Sequence, residues 1–245
     1  GVVVRGRGKY LQRVVIKTRV VRTTSHSRAS LSKHIYYLQR EGVGLGGGDA
    51  DAFNESGTLS REDAQKWGKE CQKDRHHFRF IVSPEHGAEL DLKIYAKTLI
   101  KQMERDLETP LSWLGVTHHN TDNAHVHLLI RGKDREGKDL VISRDYISRG
   151  ARIKACEIAT RELGYRHERD IQKELHRSVT EGRVVALDRE LVNASWWNEA
   201  GAIDLRPGST AAKELSPQRR SLQLARLNFL ASLGLAFEVA SDVWG

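Results

Sequence analysis

Two apolar runs with a short, mainly polar link between them constrain this chain more than anything else in it. Leu111 to His119 reads as a strand, and His125 to Arg131 (HVHLLIR) reads as a second. Asn120 to Ala124 leaves room only for a tight turn, so the two strands must pair antiparallel. Side chains at i and i+2 of a strand share a face. His125 and His127 therefore point the same way, and Val126 points into the core.

The flanking sequence supplies the rest of a domain. Arg13 to Arg22 (RVVIKTRVVR) alternates β-branched and basic residues, as a strand with one wet, positive face does. Ser25 to Gln39 reads as a helix, capped at Ser27 or Ser30, with Leu31, Ile35 and Leu38 at helical spacing. Gly42 to Gly48 is a flexible break and no phosphate loop, since no Gly-Lys-Ser/Thr follows it. Residues 49–75 are polar, with a short helix expected near Ser60 to Cys71. His77 to Ser83 alternates like a half-buried strand stopped by Pro84, and Leu92 to Leu107 is an amphipathic helix ending before Pro110. A shorter strand is expected at Asp139 to Ile142. Ser143 then caps a helix with Ile147, Ala151, Ala155, Ile158 and Ala159 on one face and Gly164 as its stop.

This order predicts an α+β domain over residues 1–170, a mainly antiparallel central sheet with helices packed on it. Residues 171–245 read as an extension, an incomplete accessory domain. It holds a helical stretch to about His176, a strand-like Arg183 to Asp188, and a helix opened by Ser216-Pro217 carrying Leu222, Ala225, Leu230 and Leu233. LAFEVASDVW behind that helix reads as a small β-wing. The chain starts without Met and stops within this extension, so a longer protein is expected.

The charge is concentrated at one end. Residues 1–40 hold ten Lys/Arg and no Asp or Glu, whereas the other 205 residues hold 30 basic and 32 acidic residues. A near-neutral body with a basic block points to a polyanion, nucleic acid first and acidic lipid second. The two cysteines, Cys71 and Cys156, have no paired spacing, which excludes a disulfide scaffold and a Cys-type zinc site. No apolar run reaches membrane-spanning length and no secretory signal is visible, so a cytoplasmic protein is expected.

The histidines carry the chemistry. His125 and His127 share a face, and His118 or His119 stands across the hairpin, so three imidazoles can converge on one cation and leave positions for substrate. Such a site can activate water or polarise a phosphate oxygen, and the second use needs a nucleophile from elsewhere. Tyr36 and Tyr37 lie in the basic N-terminal helix; the plain alternative for them is an aromatic packing pair. A tyrosine, with an ordinary pKa of about 10, attacks only when activated.

KHIYYLQREG (33–42), DRHHFRFIVSPEHG (74–87) and LSWLGVTHHNTDNAHVHLLIRGKDREGKDLVISRDYI (111–147), together with the basic strand ahead of them, resemble the conjugative relaxases. These are mobilisation nucleases of the His-hydrophobic-His (HUH) endonuclease superfamily, and the likeness is to the branch with the T-DNA border endonuclease. It covers roughly residues 10–170 in the same order, and LNFLASLGLAFEV is similar to the extension behind some of these domains. The resemblance implies nicking of single-stranded DNA at a transfer origin, with a covalent 5′-phosphotyrosine and a free 3′-hydroxyl. It places the nucleophile on Tyr37, the metal on His118, His125 and His127, and an acid's role on Asp122, because Asn120 stands where many relatives carry an acid. It implies Mg²⁺ or Mn²⁺, with Zn²⁺ also suited to imidazoles, and as partners an accessory relaxosome protein and a type IV secretion coupling protein. DNA contacts are expected from Arg13, Lys17, Arg19, Arg22, Arg28, Lys33 and Arg40. A rolling-circle initiator, with its tyrosine after the His-x-His motif at Tyr146 or Tyr165, and a non-catalytic DNA-binding protein with a structural ion are the alternatives.

Overall fold

A computed structural model describes residues 10–23, 28–40, 48, 50–119, 123–192 and 196–245. The chain divides into two compact units, Gly1–Arg166 and His167–Gly245.

The first unit is α+β. Its sheet has six strands in the order β1-β4-β6-β5-β2-β3, namely β1 (Val14–Arg22), β2 (Ala52–Asn54), β3 (Gly57–Leu59), β4 (His76–Pro84), β5 (Trp113–His118) and β6 (His125–Arg131). Every pairing is antiparallel. Helices cover both faces. Phe78, Phe80, Val82, Trp113, Val126, Leu128 and Ile130 lie in one cluster with the buried sides of α3 (Leu92–Leu107) and α4 (Ala151–Leu163). Leu114, Val116, Leu129 and Ala52 lie in the other, with Leu31, Ile35 and Leu38 of α1 (Arg28–Leu38) and Ala64 and Cys71 of α2 (Arg61–Cys71). Strand alternation sends neighbouring residues to opposite clusters, and each fully buried Leu, Ile, Val or Phe contributes about 1.5–3 kcal/mol. The central strand β5 is buried at all six positions.

Local chemistry sets the helix ends. Ser60 Oγ accepts the Asp63 amide at 3.0 Å, and Asp91 Oδ1 accepts the amides of Lys93 and Ile94 at 2.9 and 3.0 Å. At the far end of α3, Glu108 closes the helix with φ 53°, and α4 stops at Gly164 with φ 79°. Ser30 lies within α1 and is not its cap, and Ser27 lies outside the described residues. The β2–β3 hairpin was not foreseen; three-residue strands are too short to show an alternating pattern. Asp139 to Ile142 is no strand. Asp139 makes a single bridge to Lys133, and Leu140 and Ile142 are buried as anchors of a loop. A π-helical turn, Tyr146–Gly150, separates the Ser143 cap from α4.

The second unit packs α5 (Glu168–Ser178), α6 (Ala186–Leu191), α7 (Thr210–Glu214) and α8 (Pro217–Ser232) with a three-stranded sheet, β7-β9-β8. These strands are β7 (Ile203–Asp204), β8 (Glu238–Ala240) and β9 (Val243–Trp244), so a hairpin does follow α8. Arg183 to Asp188 is not a strand. The Asp188 carboxylate accepts the Val185 amide at 2.8 Å and turns the chain into α6, overriding the β-propensity of Val184 and Val185. Arg226 holds that carboxylate at 2.7 and 2.8 Å from inside α8, and donates to the carbonyls of Val179 and Glu181. The buried side of α8 is therefore Leu222, Gln223, Arg226 and Leu227, while Ala225 and Leu233 are exposed.

Cys71 and Cys156 are unpaired. Among the described residues, no helix is long and apolar enough to cross a membrane.

Candidate metal centre

His118 ends β5 and His125 begins β6, directly opposite each other in the ladder. His127 follows two residues on and stands opposite Val116. All three project from the sheet face covered by α1 and α2, because Val126 and Leu128 belong to the other face. One ligand atom from each lies within 4.8 Å of the others, and the ring centroids are 4.5–5.3 Å apart. The three histidines form a group able to hold a metal ion.

The surrounding hydrogen bonds prepare the imidazoles for that use. His118 Nε2 donates to the Leu38 carbonyl at 2.8 Å, and His125 Nδ1 donates to the Asn123 carbonyl at 2.9 Å. A carbonyl can only accept, so each bond fixes which nitrogen carries the proton of the neutral ring and turns the opposite one toward a cation, as a ligating histidine requires. Burial holds His118 below its ordinary pKa. It pushes His127 down to about 3, aided by the neighbouring His118, His125, His34 and Arg40. Both rings are neutral at pH 7, so a cation need not displace their protons.

The His118 bond also ties the tyrosine helix to the site. Its acceptor, Leu38, is the last residue of α1 and follows Tyr37. Tyr36 and Tyr37 are not a packing pair, being 64% and 57% exposed. They face different arginines. The Arg40 guanidinium lies 4.2 Å from the Tyr37 ring centroid and donates to the Tyr37 carbonyl, whereas Arg61 of α2 lies 5.8 Å from the Tyr36 ring. Arg40 is also among the positive charges that depress His118 and His127, which puts Tyr37's cationic cover in the field of the triad. Asp122 and Asn120 lie outside the described residues.

The expected basic contacts do not share one surface. Lys17 and Arg19 have the parity opposite to buried Val14 and lie on the triad's face, as their partners Ile81 and Arg79 do. Arg22 has the parity of Val14 and stands opposite His76, whose ring meets Phe78 on the other face. Arg13 precedes β1, and its charge acts on Cys156 of α4. Lys33 is exposed on α1, and the Arg28 side chain lies outside the described residues.

His34 and Arg79 were not anticipated at the site, whereas His76 and His77 had been expected as surface or structural residues within reach of DNA or the site. His34 sits on α1 one turn before Tyr37. Burial together with Arg79 and His118 lowers it to about 4. His77, buried on β4, accepts a hydrogen bond from Arg79 Nε at 3.0 Å and is also lowered to about 4 by burial. The alternation of HFRFIV carried the signal for His77 and Arg79, which with Ile81 must share the face that Phe78, Phe80 and Val82 leave.

No family model, curated protein or solved structure matches this chain. The site must therefore speak through its own geometry. Tyr146, the nearer tyrosine after the His-x-His motif, packs against the cluster on the opposite side of the sheet and donates to Asp106 Oδ2 at 2.7 Å. Burial and Asp106 raise its pKa. Tyr165 follows α4, which packs on that same side.

Proposed function

We propose that this protein is a metal-dependent enzyme of relaxase type that nicks and rejoins one DNA strand at a transfer origin. Tyr37 is its nucleophile and His118, His125 and His127 are its metal ligands. The observation that carries this reading is the His118–Leu38 hydrogen bond, which couples a three-imidazole cluster to the helix end that presents an exposed tyrosine.

The reaction is a transesterification. The Tyr37 oxygen bonds to phosphorus, the bond from phosphorus to the 3′ oxygen breaks, and that oxygen leaves protonated as a 3′-hydroxyl. His118, His125 and His127 would hold a divalent cation, which when bound would supply positive charge to the phosphoryl group. Imidazole ligands suit Mn²⁺ or Zn²⁺, and Mg²⁺ prefers oxygen. Arg40, stacked on Tyr37, fixes the ring and adds charge where a phosphate must approach. Asp122 is the proposed proton acceptor by resemblance. A longer protein would reach its secretion partners, the relaxosome protein and the coupling protein, through parts beyond this site. A small winged fold in the second unit, with the β8–β9 hairpin as its wing, belongs to the same proposal.

Mass spectrometry after incubation with transfer-origin single-stranded DNA and Mn²⁺ tests this. A DNA adduct on Tyr37, absent from Tyr37→Phe and kept by Tyr36→Phe, is expected; an adduct on Tyr37→Phe overturns the assignment. One observation favours a second reading, a DNA-binding protein with a structural ion, because His118 also pins α1. In that case chelation lowers the melting temperature and no adduct forms with any metal.

A further inference from the structure

Arg19 of β1 and Arg79 of β4 stand directly opposite each other in the antiparallel ladder. Like charges in that position repel and cost stability. Among the described residues neither arginine pairs with a carboxylate. Lys17, opposite Ile81, places a third cation two residues along on the same face.

Arg79 is not a loose surface charge. It is half-buried, and both burial and Arg19 work against its charged form. Its Nε donates to His77 Nε2, and His77 is itself buried. A neutral imidazole can orient a guanidinium but cannot compensate it. The fold therefore spends a buried histidine on orienting a half-buried guanidinium beside two exposed cations, Arg19 and Lys17. A planar guanidinium fork matches a phosphate bidentately.

The ladder also locates this pair relative to the triad. Arg79 stands opposite Leu129, and its neighbour Ile81 stands opposite His127. Arg79 is thus one diagonal step from His127, a separation of about 7–8 Å in an antiparallel pair. Arg19 is one strand further out, about 5 Å.

We propose that Arg79 and Arg19, flanked by Lys17, form a binding site for a backbone phosphodiester of single-stranded DNA beside the metal centre, and that His77 is the positioning residue for Arg79. The proposal names a substrate contact of the enzyme described above and rests on that reading for its ligand.

The test is binding of a fluorescein-labelled oligothymidylate to the full chain in EDTA, by anisotropy, across about 50–200 mM salt. Arg79→Gln and Arg19→Gln should each weaken binding. Each should also flatten the log–log salt slope by about 0.7, so that the affinity lost across that salt range shrinks about 2.6-fold. Arg79→Lys should keep the slope and lose affinity, because it keeps the charge and loses the fork. His77→Gln should weaken binding in the parent chain and change nothing in the Arg79→Gln background, the signature of a residue acting through another. Melting temperatures should hold or rise for Arg79→Gln, since repulsion with Arg19 is relieved; a fall with an unchanged slope makes Arg79 structural and overturns the site. An unchanged slope in a variant that still forms the Tyr37 adduct also overturns it and leaves the enzyme reading intact. A flattened slope in a protein that forms no adduct keeps the phosphate site and removes the enzyme reading.

Discussion

Two of the three proposed metal ligands should behave alike toward the cation and differently toward the fold. His118 is 4% exposed, and its Nε2–H is held by the carbonyl of Leu38, itself buried at the end of α1. His118→Ala leaves that carbonyl without its partner, at a cost of about 1–3 kcal/mol, and opens a ring-sized gap. Together these come to about 2–4 kcal/mol. At roughly 2–4 °C per kcal/mol for a unit of this size, the metal-free melting temperature should fall by about 4–16 °C. His125 is only half-buried, and its partner, the carbonyl of exposed Asn123, has water at hand. His125→Ala should therefore cost no more than about 0.5 kcal/mol. Both variants should lose the upward thermal shift that Mn²⁺ or Zn²⁺ gives the parent. The assay is thermal unfolding by circular dichroism in EDTA and then with cation. Equal losses in EDTA would refute the anchoring role of His118, and a surviving cation shift in either variant would refute the triad.

The metal-free protein should lose stability on acidification. The folded values of His34 and His77 (about 4) and of His127 (about 3) lie below the ordinary 6.5, so the unfolded chain takes up these protons first. Their contribution is whole above pH 6.5 and falls as pH drops from 6.5 toward 4, which urea midpoints at pH 7, 6 and 5 will show; a flat profile contradicts the burial of these rings. Gly115→Ala places a Cβ 2.6 Å from the Phe53 ring, which packs edge-on against Trp113, and should destabilise the first unit by about 1–3 kcal/mol in denaturant titrations. Arg226→Ala leaves the Asp188 carboxylate and several carbonyls unmatched and should cost about 3–5 kcal/mol, read as faster proteolysis of residues 167–245; no change would mean water takes over its bonds.

The central elements were legible because each combines a strong period with firm ends. Leu92–Leu107 shows six buried residues at helical spacing between an Asp cap and a left-handed stop, and HVHLLIR alternates up to the point where β6 is covered on both faces. Where one signal ruled alone, it misled. The β-branched pair in RVVALD suggested a strand, but a carboxylate three residues on caps a helix there, and the arginine that holds it is 38 positions away. The apolar spacing noted on α8, Leu222, Ala225, Leu230 and Leu233, does not mark its buried side; the helix also buries Gln223 and Arg226, polar residues whose partners no local pattern reveals. Asp139 to Ile142 had strand composition and no neighbour to pair with beyond one bridge.

At the site, proximity in sequence was a poor guide and strand parity a good one. The basic block of the first 40 residues suggested one cationic arm, but alternation splits it. Lys17 and Arg19 go to the triad's face and Arg22 goes to the other. The charge that does gather beside the histidines comes from three separate segments: Lys17 and Arg19 on β1, Arg79 on β4, and Arg40 behind α1. Only the register of β1 on β4 and of β4 on β6 brings the first three together, with Arg79 one diagonal step from His127 and the β1 pair one strand further out. A one-residue slip of β1 would carry Lys17 and Arg19 to the face packed by α3 and α4, where Val14 and Ile16 now lie, and would expose those apolar groups. The burial that fixes the register of the edge strand is thus the same burial that aims its cations. A surface charge pattern held this way is as robust as the core beneath it.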